Sequence, residues 1–462
     1  TLVLASGDLI GASRFPSFIQ GDVPTLKILN LMDLDATAVG NHELDKGFND
    51  LVGRVIPKAA FTYLSANLYQ KNTMEPVLPA YALFQRAGVR VGVIGATTQG
   101  VPSLVSPTGV SMIDFGDPVM AVNRVSAQLT DGLEANGEAD IIIAAYHEGA
   151  SREGSLAEQE AESSIFRALV EATSPRVDVI FNGHTHLAYA HQARIPGHAS
   201  AGIGGSGEET KDATWAGGVG TSLEGGMAQG TRPVLQSGAH AALIGKVRLE
   251  IDPATHRVVT SRVENLEPRS GAGSTLPRVK KVAALLDWAL AEAAEIGQEE
   301  INTLTAAISR ALDLAPDGQI LDDDRSLESP LTNLVANMYR DRLADSGRGG
   351  ARIGVQNPGG TRVDLQAGVL TYADAADVLP FANTLMTACL TGAQFKQLLE
   401  QQWQPPGASR PYLQLGLSDN VTYSYDSSRA EGDRITAINL DGAPLDGEAE
   451  VVVGGSDFLI GG

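Results

Sequence analysis

Gly40-Asn41-His42-Glu43-Leu44-Asp45-Lys46-Gly47 sets an amide, an imidazole and a carboxylate in one polar turn, directly behind the apolar run Ala36 to Val39. Asn offers an oxygen to a hard cation, His exchanges a proton near neutral pH, and an Asp three residues on can orient that His. Alone, the stretch reads equally well as a helix start or a turn, because Asn, Gly and Asp favour both. Other residues supply partners. Asp8 closes Ser6-Gly7-Asp8, His147 follows the run from Asp140 to Tyr146, and His184 and His186 flank Thr185 behind Val179-Ile180-Phe181. Asp8, Asn41, His147, His184 and His186 are each hard or borderline metal ligands placed just beyond an apolar run. A carboxylate can bridge two cations about 3.5–4 Å apart, and such pairs serve phosphoester displacement: one acidifies the attacking water, and both draw charge from the phosphoryl oxygens. His42 would then stabilise the transition state or protonate the leaving alcohol, with Asp45 fixing its tautomer.

The elements that must carry these residues alternate. Strands are expected at 1–6, 36–39, 61–68, 81–86, 89–97, 140–146 and 177–181, with helices near 22–33, 48–59, 117–136 and 158–173. Alternation of this kind over about 185 residues is the pattern of a layered α/β domain, and ligands bind such sheets just past the strand C-termini. Residues 197–230 are glycine-rich, contain Trp215, and read as a surface insertion. Strands return at 233–236, 243–251 and 258–266. A glycine-rich break at Ser270 to Ser274 and a strong helix over 276–296 read as a linker. Beyond it lies a second α/β unit, with helices at 329–345 and 391–403 and strands at 351–356, 369–372, 435–442 and 450–453.

Composition narrows the partners. Against 34 Lys and Arg stand 55 Asp and Glu, a formal net charge of -21, which repels a nucleic-acid backbone. A small phosphorylated substrate stays open if cations invert the local potential. No apolar run reaches the length of a membrane span. With 462 residues, two or three domains are expected. The single cysteine, Cys389, permits no internal disulfide and is expected to be a buried, inert thiol.

Gly7-Asp8, Gly40-Asn41-His42-Glu43, His147-Glu148-Gly149 and Gly183-His184-Thr185-His186 together resemble the successive motifs of calcineurin-like metallophosphoesterases. Gly40 through Gly47 is similar, more narrowly, to the bacterial 5'-nucleotidase family. The likeness continues in Asn357-Pro358-Gly359-Gly360-Thr361-Arg362, in Leu379-Pro380-Phe381-Ala382-Asn383-Thr384 and in Gly455-Ser456-Asp457-Phe458-Leu459. It runs nearly the length of the chain, with the motifs in order. The resemblance implies a four-layer α/β/β/α metallophosphoesterase sandwich (1–270, with the insertion 197–230). A linker helix (271–298) would join it to a smaller α+β nucleotide-binding domain (299–462). It implies two divalent metal ions (Mn, Zn, Co or Mg), with Asp8 bridging them. Asn41, His147 and His184 would complete one site and His186 would belong to the other, beside the dyad His42–Asp45. Phe381 and Phe458 would sandwich the base. Arg325 and Arg362 would meet phosphate or ribose, and Asn357 and Asn383, next to Gly360, would bind the nucleoside.

The implied activity is hydrolysis of nucleoside 5'-monophosphates. A 2',3'-cyclic phosphodiesterase/3'-nucleotidase or UDP-sugar hydrolase is the alternative, and a non-catalytic nucleotide-binding relative comes after these. The implied location is secreted, periplasmic or cell-wall associated. Two departures stand out. The family's opening Asp-x-His motif has no counterpart here, which leaves the cation of His186 short of two donors. Thr1-Leu2-Val3-Leu4-Ala5 reads as mid-strand, so the N-terminus is taken to be cut. The chain also stops at Gly461-Gly462, where the family continues with an Asp. Among the remaining candidates, His191, His198 and His256 are expected on the surface. His240, in Ser237-Gly238-Ala239-His240, falls where the family places a segment lining the metal cleft, and a structural role is preferred there to ligation. Asp178 is given a cap or a solvent-facing place, and the run Glu158, Glu160, Glu162 a solvated helix face. Glu148, next to a candidate ligand, is a candidate general base, and Glu43 and Leu44 are read as spacers.

Overall fold

The computed structural model describes residues 1–197, 230–310, 312–314, 320–381, 383–405 and 410–461. Trp215, His198 and all but the ends of the glycine-rich stretch lie outside them. The chain forms two compact units, one from Thr1–Ile10 with Thr25–Leu285 and the other from Gly11–Pro24 with Leu286–Gly462.

The first unit is built on a six-stranded sheet in the order Ala188–Arg194, Thr231–Ser237, Val179–Phe181, Ile141–His147, Val89–Thr97, Tyr81–Arg86. Its four middle strands are parallel. Every residue of Ile141–His147 is buried, as a central parallel strand requires, and the run of three Ile suits that place. A smaller parallel sheet pairs Leu4–Ala5, Ala36–Ala38 and Thr62–Leu64. Because successive side chains point to opposite faces, each strand feeds two cores. Ile141, Ile143, Val91 and Val93 meet Ala36 and Leu64 of the small sheet together with Val247 and Leu249 of the hairpin Ile244–Ile251/Val258–Leu266. Ile142, Ala144 and Tyr146 face the helices Pro118–Gln128 and Ser164–Glu171 through Val122, Val125, Phe166 and Leu169. On the far side Leu26, Leu51 and Val55 cover the small sheet at Val39 and Tyr63. The succession is helix, sheet, sheet, helix.

Several elements differ from expectation for local reasons. The helix expected at 48–59 is a run of α (Phe48–Asp50), π (Leu51–Val55) and 3-10 turns (Ile56–Lys58), with Pro57 inside the last turn and Ala59 closing it. The helix expected at 158–173 divides at Ser163, whose hydroxyl accepts from the Phe166 N–H and starts a new helix. Asp178 neither caps a helix nor faces solvent: its carboxylate accepts from the Ile142 N–H at 2.8 Å, and burial pushes its pKa up to about 6. His191 is half-buried, stacked on Tyr189 and bonded to Gln159 at 2.9 Å. Arg232 is fully buried, and its two terminal nitrogens donate to the carbonyls of Val170, Thr173, Ser174 and Val177, which closes off the end of helix Ser164–Glu171.

The second unit carries a four-stranded sheet in the order Leu385–Thr391, Glu450–Ser456, Ile353–Gln356, Gly416–Leu417. Helix Pro330–Leu343 packs through Leu331, Val335 and Tyr339, spaced four apart. Helix Gly392–Glu400 supplies Phe395 and Leu399 to another core. The segment 11–24 docks here, with the Phe15 N–H donating to Asp377 at 2.7 Å and the Phe15 ring edge-on to Tyr372. Cys389 is exposed, not buried, because Leu385–Thr391 is an edge strand. No described helix is long and apolar enough to cross a membrane.

Candidate active site

The ends of the parallel strands bring four of the five expected ligands together. Asp8 follows Leu4–Ala5, Asn41 follows Ala36–Ala38, His147 ends Ile141–His147, and His184 follows Val179–Phe181. Ligand atoms of Asp8, His147 and His184 all lie within 4.8 Å of one another. Asn41 Oδ1 sits 3.1 Å from His147 Nε2 and 2.9 Å from His184 Nδ1, while Asp8 Oδ2 is 3.1 Å from His147 Nε2.

This donor set fits a cation. The Ser6 carbonyl lies 2.6 Å from His147 Nδ1 and can only accept, so Nδ1 carries the hydrogen. The lone pair of Nε2 then points at two further electron-rich oxygens, from Asp8 and Asn41. Three acceptors converging at about 3 Å repel unless something positive sits among them. A proton is the smallest such species, and the pKa of His147 is raised: burial opposes this, but the Asp8 charge and hydrogen bond outweigh it. Asp8 in turn is held well below the usual carboxylate range, because His147 and His42 overcome its burial. Burial, followed by repulsion from His147, pushes His184 down to about 3. A neutral imidazole beside an ionised carboxylate is the protonation state that a divalent cation needs.

The backbone is drawn tightly around this point. A Cβ on Gly40 would lie 2.1 Å from Asp8 Oδ1, and one on Gly7 (φ +89°) would lie 2.5 Å from His147 Nδ1. Only glycine fits at either position. Glu43, read from sequence as a spacer, holds the arrangement together. It is 2% exposed, and its carboxylate accepts from the backbone N–H groups of Gly40 (2.6 Å), Leu9 (2.7 Å) and Asp8 (2.9 Å). Burial and then the Asp8 charge raise its pKa to about 7. The Gly40–Glu43 spacing, an N–H with a carboxylate three residues later, was the signal that could have found it. Leu44 is core.

His42 stands at the rim. Its Nδ1 lies 3.0 and 3.1 Å from the two Asp45 oxygens, and its backbone N–H donates to Asp8 Oδ1 at 2.9 Å. His186 is outside the ligand cluster and exposed, its ring edge-on to that of His240. Glu148 accepts from Thr98 (2.7 Å) and from the Gly149 N–H.

In the second unit the expected nucleotide contacts gather at one end of the four-stranded sheet. Ile353–Gln356 and Glu450–Ser456 run parallel, so Asn357 and Phe458 emerge on the same edge; Leu385 pairs with Ser456, which puts Asn383 there too. Thr384 and Asp457 exchange backbone-linked hydrogen bonds at 2.7 and 3.2 Å. The Arg362 guanidinium lies 5.8 Å from the centre of the Phe381 ring and donates to the Gly359 carbonyl at 3.4 Å. Arg325 lies against the same turn, since a Cβ on Gly359 would come within 2.7 Å of its Nη1. Gly360 packs on Gln356 and Asn357.

Residues 1–188 match the calcineurin-like phosphoesterase model and residues 308–462 the 5'-nucleotidase C-terminal domain. The chain is 27% identical to a 5'-nucleotidase of Vibrio vulnificus over 435 residues, covering 91% of this chain and 71% of that protein. It is 25% identical over 477 residues to endonuclease YhcR of Bacillus subtilis, covering 99% of this chain but 33% of that protein, so it spans a third of that relative's length. A 5'-nucleotidase precursor of Thermus thermophilus has the same fold, with a TM-score of 0.69 at 22% identity over 100% of this chain and 81% of the other.

Proposed function

The chain belongs to the 5'-nucleotidase family of metallophosphoesterases, and from that premise we propose that it hydrolyses nucleoside 5'-monophosphates to nucleoside and phosphate. The observation that carries the reading is the convergence of Asp8, Asn41, His147 and His184 with the His42–Asp45 pair tied to Asp8. Two divalent cations bound there would supply Lewis acidity, lowering the pKa of the attacking water and drawing charge from the phosphoryl oxygens.

The chain's own residues supply the rest. With Nδ1 committed to Asp45, His42 Nε2 gives its proton to the 5'-oxygen as the P–O bond breaks, and Asp45 stabilises the imidazolium before that transfer. Glu43 holds the amides of Gly40, Asp8 and Leu9, so that Asp8 does not reorganise during turnover. In the second unit Phe381 and Phe458 would hold the base, Arg362 and Arg325 the phosphate or ribose, and Asn357, Gly360 and Asn383 the nucleoside. Aromatic faces grip a base without demanding its identity. Salvage of nucleotides from the medium puts such an enzyme outside the cytoplasm, whether secreted, periplasmic or bound to the wall.

The test is a substrate panel of AMP, cyclic 2',3'-AMP and UDP-glucose with Mn2+. AMP is expected to be turned over fastest. Preference for the cyclic or sugar substrate would move the activity to the alternative within the family, and turnover of none would leave a nucleotide-binding relative.

A further inference from the structure

We propose that His240 is a cation ligand, pairing with His186 to form a second imidazole site beside the Asp8/His147/His184 cluster. The inference rests on the two-cation reading above and extends it to a residue that no motif of the chain includes.

Geometry carries the argument. The rings of His147 and His184, both in the ligand cluster, have centroids 5.1 Å apart and planes at 61°. The rings of His186 and His240 repeat that relation, with centroids 5.9 Å apart and planes at 64°. Two imidazoles on one tetrahedral ion, with bonds of about 2.0–2.1 Å, have ring centres roughly 5–6 Å apart. Packing alone could bring two histidines together, but this pair sits at one end of two neighbouring antiparallel strands, His186 just before Ala188–Arg194 and His240 just after Thr231–Ser237. Ala188 pairs with Ser237, and just past that rung the Gly238 N–H donates to the Leu187 carbonyl at 2.9 Å. His186 and His240 therefore flank the mouth of one ladder. Thr231–Ser237 also runs parallel to Val179–Phe181, so His240 lies past a strand C-terminus as His184 does.

The backbone points the same way. His184, His186, His240 and Ala241 all adopt left-handed conformations, with φ of +72°, +65°, +56° and +56°. Non-glycine residues are held there at a cost, and such positions cluster where a side chain must be aimed. Glycine would suit the turn after Gly238 better, yet the chain spends a histidine on it. Both rings are exposed, as an entry path for a cation requires. Imidazole pairs suit borderline ions such as Zn2+ or Co2+ better than Mg2+.

The full chain, stripped of metal, is titrated with Co2+ by equilibrium dialysis with elemental analysis, while the visible Co2+ spectrum is recorded. Wild type is expected to bind two ions. His240→Ala should keep the tighter one and weaken the other at least tenfold, with loss of part of the visible absorption. His240→Asp, which restores a donor, should recover much of that affinity, and His186→Ala should match His240→Ala. Unchanged stoichiometry, affinity and spectrum in His240→Ala would overturn the proposal. Equal weakening in the Ala and Asp variants with a lowered melting temperature would also overturn it, since packing and not ligation would then be at stake. Wild type binding no Co2+ would remove the metal-centre reading itself, an outcome distinct from wild type and His240→Ala binding alike.

Discussion

Adding one methyl group at Gly40 should empty the candidate centre. An alanine Cβ there would stand 2.1 Å from Asp8 Oδ1, 2.5 Å from the Asp8 nitrogen and 2.8 Å from His147 Cε1. Ordinary carbon–oxygen contact begins near 3.4 Å, so the Asp8 carboxylate has to retreat by roughly 1.3 Å. Such a retreat breaks its contacts with His147 Nε2 (3.1 Å) and the His42 N–H (2.9 Å). Hydrogen bonds to an ionised group contribute about 1.5–3 kcal/mol each, and overpacking adds about 1–3 kcal/mol. Partial relaxation leaves a net loss of about 3–5 kcal/mol, a large share of a usual folding stability of about 5–15 kcal/mol. Cation affinity should fall by at least 100-fold, since the carboxylate common to the cluster is displaced. Gly53→Ala is the control: nothing lies within 4 Å of its Cβ, and it sits in the helical run Leu51–Val55. There a gain of about 0.5–1 kcal/mol is expected, with cation binding intact. The measurements are urea unfolding and metal content after dialysis for both variants. Gly40→Ala that binds cations as wild type does, or unfolds within 1 kcal/mol of it, would refute the tight-approach argument.

The same geometry sets four further outcomes. Glu43→Ala strands three backbone amides that water can only partly reach; urea unfolding should show a loss of about 2–4 kcal/mol, with weaker cation binding as the Asp8 turn loosens. His42→Ala should lower kcat on AMP by about 100- to 10,000-fold while elemental analysis finds metal content unchanged, and undiminished turnover would take His42 out of the chemistry. Arg232→Met leaves buried helix-end carbonyls without their donor, although it also removes a charge whose burial depresses the guanidinium pKa to about 10. A net loss of about 3 kcal/mol is expected with metal binding unaffected, because the site lies at the opposite strand ends. Asp178 has its folded pKa raised from 3.8 to about 6, so its cost is absent below pH 3.8, grows as pH rises and is complete above 6. Asp178→Asn keeps an acceptor for the Ile142 N–H and should gain up to about 3 kcal/mol at pH 8 but nothing at pH 3.5, seen as a flatter stability–pH curve.

Apart from local signals such as the Ser163 cap and the Gly40–Glu43 spacing, the differences from expectation come from contacts distant in sequence. Glu43 reads as a spacer because two of its three partners, Asp8 and Leu9, lie 35 and 34 residues away along the chain, and a buried carboxylate satisfied by backbone amides leaves no charge partner in the sequence. Cys389 was expected inside because its neighbours are apolar; that its strand lies at a sheet edge depends on the pairing order. His191 is expected on the surface from its polar neighbours, and Asp178 as a cap or a solvent-facing residue from its place at a strand–helix junction, yet each is drawn inward by an element distant in sequence.

Much about this protein was nonetheless determined by the amino-acid order alone. Apolar runs of β-branched residues locate the buried parallel strands, and the polar residues just beyond Ala38, Tyr146 and Phe181 mark where a ligand edge must be, because parallel strands expose only their ends. Asp8, Asn41, His42, Asp45, His147 and His184 are legible as candidate ligands and proton carriers, since few residue types can bind cations or carry protons at neutral pH. Tertiary structure alone decided how those groups face one another. Electrostatics and steric fit fall off within a few ångströms, so the acceptor convergence at His147, the enforced glycines at positions 7 and 40, the amide clasp of Glu43 and the pairing of His186 with His240 exist only once distant strands have been brought side by side.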